Sequence, residues 1–191
     1  GRGADGTLPN DINASDQFTG IELAGNSIKS FLYTVDGGAT SIFPIGCDDL
    51  TTSSSCFFVE SDPTVSEALN DNAVVVGSSV VLVDDGTGLL TPERVSGFIW
   101  SHATGTLDLL DLVVDGSASG WELTQGDQFT PGPTDINNDG VIVGNGINPM
   151  GEPAAYVLLP RSPCAADVNR DGNVNPNDFN AWILAFNNGC D

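Results

Sequence analysis

Polar turns and apolar strands alternate along this chain with a long period. Three stretches share one layout: NASDQFTG at 13–20, NDNAVVVG at 70–77 and NNDGVIVG at 137–144. Asn13, Asn70 and Asn137 suit turns, because an Asn side chain bonds nearby backbone. The alternating or wholly apolar runs that follow predict strands. Gly20, Gly77 and Gly144 are expected to end those strands where the chain bends. A second, apolar-aromatic run follows each copy: SFLYTV at 30–35, GFIWSH at 97–102 and AAYVLL at 154–159. The second copy also carries the insertion VVLVDDGTGLLTPERV. The copies start 57 and then 67 residues apart, a spacing too loose for a solenoid. The expected fold is mainly β: repeated antiparallel units, propeller-blade-like or β-meander, over residues 1–160. Repeat starts fall near 10, 67 and 134.

The pattern changes after residue 160, where a small C-terminal calcium-loop and helix module is expected over 161–191. From Asp167 the residues DVNRDGNVNPND place oxygen side chains at loop positions 1, 3, 5, 9 and 12. These are Asp167, Asn169, Asp171, Asn175 and Asp178. Gly172 falls where such a loop turns sharply, and Asn173 at position 7 offers its backbone carbonyl. A hard cation takes oxygen donors at this EF-hand spacing, so Ca2+ is the expected ligand. Three carboxylates in a dozen residues repel one another, and the ion would also order the loop. A helix should follow, capped by Asn175, with Pro176 in its first turn and Asp178 near its positive end. Phe179, Trp182, Ile183 and Phe186 recur at i, i+3, i+4 and i+7 and form one apolar stripe. DINNDG at 135–140 mimics half of the loop, then runs into apolar residues and Gly; it reads as a repeat turn.

Charge narrows the function. Twenty Asp and six Glu face one Lys and four Arg, a net −21. Five scattered cations cannot assemble a phosphate-binding surface, which excludes nucleic acid as a main partner. No apolar run approaches the ~18 residues of a membrane span. Four cysteines allow three pairings. The local ones, Cys47 with Cys56 and Cys164 with Cys190, each close one natural loop and are favoured. Such pairs imply an oxidising, secreted or cell-surface setting. Residue 1 is Gly rather than Met, as expected of a processed product or fragment.

Two resemblances sharpen this picture. ALNDNAVVVGSS, GFIWSHATGTLDLLDL, TDINNDGVIVGNG and AAYVLLP resemble the extracellular HAF-type repeats of bacterial secreted proteins, over most of residues 9–160. Copy one departs from that pattern at Phe18-Thr19, where valines are usual. The resemblance implies a propeller-like fold and no known chemistry. Two to three units fall short of the roughly four blades a closed propeller needs. Either the chain belongs to a longer array, or another copy or partner covers its open edges. Residues 164–190 resemble a dockerin repeat, most closely the GC-type dockerin-like anchor, with one calcium loop in place of two. That implies anchoring or self-assembly.

Catalytic patterns are scarce. His102 is the one histidine and follows Trp100 in an apolar strand, which suits a strand end better than a catalytic base. GSASG at 116–120 puts Ala118 where a serine nucleophile would stand. The expectation is a non-catalytic structural or attachment protein, calcium-stabilised, joined to a protein partner or to itself through sheet edges and the C-terminal module. An alternative is a carbohydrate-binding module using Trp100, Trp121 or Trp182 as a glycan platform. Less favoured is an acidic glycoside hydrolase or its accessory, which needs only two suitably placed carboxylates.

Overall fold

A computed structural model describes residues 6–24, 27–47, 64–86, 90–113, 117–124, 132–160, 176–177 and 179–180. The fold is mainly β and built from three antiparallel sheets. The first is a meander of β1 (Gly6–Ile12), β2 (Phe18–Ala24), β3 (Ser27–Thr34) and β4 (Gly38–Ile42). The second repeats it with β5 (Val65–Leu69), β6 (Val75–Asp84), β7 (Leu90–Ser101) and β8 (Gly105–Asp108). A four-residue helix, α1 (Leu109–Leu112), follows; Asp108 caps it by accepting from the Leu110 amide. The third sheet holds β9 (Pro133–Ile136), β10 (Ile142–Ile147) and β11 (Pro153–Leu158). Glu122 extends its inner edge through an isolated bridge to Ile147.

Face-to-face packing explains the hydrophobic pattern. Leu32 and Ile42 of the first sheet meet Leu69, Val75, Phe98 and Trp100 of the second. The other face of the second sheet, with Ala68 and Val76, packs with Leu109 against Ile136, Ile142 and Tyr156 of the third. The middle sheet is thus covered on both faces, and the first eight residues of β6 are all buried. That is why its sequence is a continuous apolar run with two serines instead of an alternation. Among the described residues β10 faces a neighbouring sheet on one side only, and it alternates buried with less buried positions. The insertion in copy two lengthens the β6–β7 hairpin. Its Val80 and Leu82 pack with Cys47, and the Leu82 amide bonds the Ile45 carbonyl at 3.0 Å.

One expectation is corrected. Gly20, Gly77 and Gly144 do not end their strands; they lie inside β2, β6 and β10. Beside each, the ladder to the neighbouring strand shifts by one residue, leaving Asn10, Glu67 and Thr134 as bulged positions. The bulge brings backbone against the glycine. A Cβ on Gly77 would stand 2.0 Å from the Val65 carbonyl oxygen; on Gly20 it would meet Leu8 O at 2.2 Å, and on Gly144 Gly132 O at 2.3 Å. Close approach of two strands, not a bend, demands glycine there.

Candidate interaction site

The repeated asparagines are joined in space. Each closes its own turn by accepting backbone amides at its side-chain oxygen. Asn13 Oδ1 takes Ser15 and Gln17 at 3.0 Å each, Asn70 Oδ1 takes Asn72 and Val74 at 3.0 and 3.1 Å, and Asn137 Oδ1 takes Val141 at 2.9 Å. The remaining amide group reaches forward to the next unit. Asn13 Nδ2 donates to the Asn70 carbonyl at 3.0 Å, and Asn70 Nδ2 donates to the Asn137 carbonyl at 3.1 Å. One residue type therefore both shapes the turn and stacks it on the next. The residue three places on has positive φ in every copy: Asp16 at 56°, Ala73 at 58° and Gly140 at 79°.

A second rung lies beside the first. The Ala14 amide donates to Asp71 Oδ1 at 2.8 Å, the Asp71 amide donates to Asn138 Oδ1 at 2.9 Å, and Asn138 Nδ2 returns a bond to Asp71 Oδ2 at 2.7 Å. The Ala14 and Asn138 bonds hold the exposed Asp71 carboxyl below its ordinary range. This rung is not in the sequence expectations. Its signal was the residue after each asparagine, acidic or amide in copies two and three (Asn-Asp, Asn-Asn) and Ala in copy one.

Among the described residues no further sheet packs on either end of the stack, although Phe31 of the first sheet is buried, at 8 % exposure. Pairing places Ile12, Phe18, Phe31 and Tyr33 on one face of the first sheet, with Phe18 stacked on Tyr33 at 4.8 Å and edge-on to Phe31 at 5.7 Å. The equivalent residues Leu69, Val75, Phe98 and Trp100 are buried against the first sheet, and Ile136, Ile142 and Tyr156 against the second. Ile12, by contrast, is 64 % exposed, whereas Leu69 and Ile136 are each 5 %. At the far end Val143 pairs with Val157, and both are exposed, Val157 to 59 %; the equivalent Leu32 of the first sheet is fully buried.

The other candidate residues fall as follows. The proposed ion ligands Asp167, Asn169, Asp171, Asn173, Asn175 and Asp178 lie outside the described residues, as do Trp182, Ile183, Phe186, Cys56, Cys164 and Cys190. Pro176, Asn177, Phe179 and Asn180 are helical, where the sequence places the first turn after the loop. Cys47 is disulfide-bonded, and its partner is not among the described residues. DINNDG is a repeat turn: Asp135 Oδ1 accepts from Ile136, Asn137 Oδ1 from Val141 and Asn138 Oδ1 from Asp71. His102 sits in the turn just after β7, its ring 4.9 Å from that of Trp100.

Trp100 is 5 % exposed in the core, and Trp121 is partly buried, edge-on to Tyr156. Trp100 therefore offers no open ring face for sugar stacking. Asp108 is buried, but Arg94, Ser96 Oγ at 2.7 Å and the Leu110 amide at 2.9 Å take up its oxygens. A cleft of about 540 Å3 between α1 and β11 is lined by Ile99, Leu109, Leu112, Ile142, Val157 and neighbouring apolar residues, with Ser117 the one side-chain hydroxyl. Among the described residues its lining offers packing surface and no acid–base pair. Comparison of the chain with protein-family models, curated proteins and solved structures finds no match.

Proposed function

We propose that the protein is a non-catalytic, secreted or cell-surface structural protein that attaches or assembles through its β-repeats, with a calcium-ordered C-terminal module as anchor. The observation that carries this reading is the stack of three like sheets whose outer faces, on which no further sheet packs among the described residues, expose Ile12 at one end and Val143 and Val157 at the other. A repeat array with apolar end faces needs a cap or a partner, because each unit buries its faces only by stacking.

The donor chemistry of the closing segment suits a hard divalent cation. Asp167, Asn169, Asp171, Asn175 and Asp178 would supply side-chain oxygens, and Asn173 its carbonyl. The ion would neutralise the crowded carboxylates and fix the start of the helix that carries Phe179, Trp182, Ile183 and Phe186. The disulfides Cys47–Cys56 and Cys164–Cys190 belong to the same reading and suit an extracellular setting.

Calcium removal tests it. Chelation should expose the segment after residue 160 to limited proteolysis, and Asp171→Ala should do the same in the presence of calcium. Digestion patterns indifferent to both would remove the anchor module from the reading.

A further inference from the structure

The two end faces are the two halves of one interface that the chain already makes twice. The outer face of the first sheet carries Ile12, Phe18, Phe31 and Tyr33, with Ile12 exposed, Phe18 and Tyr33 half-buried and Phe31 buried, at the positions by which the second and third sheets dock on their predecessors. The exposed face of the third sheet carries Val143 and Val157, in the places of Thr19 and Leu32 of the first sheet, which receive the second.

The hydrogen-bond ladder has matching loose ends. Asn70 and Asn137 carbonyls each accept two bonds, one from their own turn and one from the preceding asparagine. Among the described residues the Asn13 carbonyl accepts one, from Asp16. Asn137 Nδ2, the group that points forward in the other two copies, has no partner among the described residues. A donor is spare at one end and an acceptor site at the other.

We propose that a second copy of this chain docks the outer face of its first sheet on the third sheet of the first copy, head to tail. This rests on the assembly reading above and specifies its partner and surfaces. Val143 and Val157 then meet Ile12, Phe18 and Tyr33 of the second copy, and Asn137 Nδ2 donates to that copy's Asn13 carbonyl. The second rung is not continued, because Ala14 cannot accept from the Asn138 amide as Asn138 does from Asp71. The contact is heterologous: it leaves one unused half on each outer copy, so it grows into a chain or closes into a ring. Two copies of net charge −21 repel, so association should strengthen with salt as that repulsion is screened.

The test is sedimentation velocity on the full chain in about 0.15 M salt, with and without calcium. Ile12→Asp blocks one half and Val157→Asp the other; both residues are exposed, so each variant should fold, checked by circular dichroism. Met150→Asp adds the same charge in the β10–β11 turn as a control. The wild type and M150D should form species of two or more copies. I12D and V157D should each remain single copies, and their equimolar mixture should give dimers and nothing larger, because one intact pair of halves remains. A single-copy wild type at every concentration would overturn the inference and point to the chain's own residues 161–191, or another protein, as the cover. So would I12D or V157D assembling like wild type, or a mixture that stays monomeric. Assembly indifferent to calcium keeps this inference while removing the anchor module; a calcium-ordered tail on a monomeric chain does the reverse.

Discussion

Asn70 concentrates the fold's repeating logic in one side chain. It is 5 % exposed, its oxygen takes two backbone amides, and its amide group holds the next unit's carbonyl. Asn70→Ala removes three hydrogen bonds at once and leaves the Asn72 and Val74 amides without their acceptor, while the Asn137 carbonyl keeps Gly140; a buried unsatisfied group costs about 1–3 kcal/mol. A loss of about 3 kcal/mol in urea unfolding is expected, with Asn70→Asp losing less because the accepting oxygen survives. Glu67 works in the opposite direction. Burial at the β5 bulge raises its pKa above the ordinary 4.5, so the folded state holds the proton more tightly than the unfolded one. Stability is then highest below 4.5, falls as pH climbs through the window up to the raised value, and stays lower above it. Glu67→Gln should therefore unfold at higher urea than wild type near neutral pH, and the two midpoints should converge below about pH 4. The turn role of the asparagines was legible from the sequence, since Asn bonding to its own turn is a local rule. Their forward bond was not: a side-chain amide reaching across 57 or 67 residues leaves no local trace.

Among the elements, glycine spacing was visible but its meaning was not. The Asn-to-Gly distance is the same in all three copies, yet only the paired strand shows what the glycine avoids. Gly77→Ala would drive a Cβ to 2.0 Å from the Val65 carbonyl and 2.8 Å from Phe98 Cε1. Neither the bulge nor the fully buried ring can yield, so at least about 3 kcal/mol should be lost in the same assay. Gly140→Ala makes the contrasting case. Its Cβ would find Pro160 at an ordinary 3.6 Å, and the cost comes from positive φ alone, about 1 kcal/mol. Ala73 already occupies the equivalent place in copy two with φ of 58°. Strand positions were readable because each apolar run sits in a two-sided or one-sided sheet with the matching period. α1 was not expected; four residues after a capping Asp are too few to show a helical stripe.

At the scale of the whole molecule, three sheets share two interfaces, and among the described residues no further sheet packs on the two outer faces. The mainly β character of the chain and its antiparallel sheets were legible in the repeats. Which faces lie outermost was not, because face assignment depends on register, and a bulge in each unit shifts it. In the proposed assembly the outer faces are the unmatched ends of a contact whose two instances bury Phe98, Val75 and Val76 completely. Burial of that kind would supply the driving force for the proposed third instance between copies. The most direct measurement is sedimentation equilibrium of the full chain over a wide concentration range in about 0.15 M salt with calcium present. A weight-average mass rising above the 19.8 kDa of one chain is the expected result. A mass fixed at that value at every concentration would contradict the account.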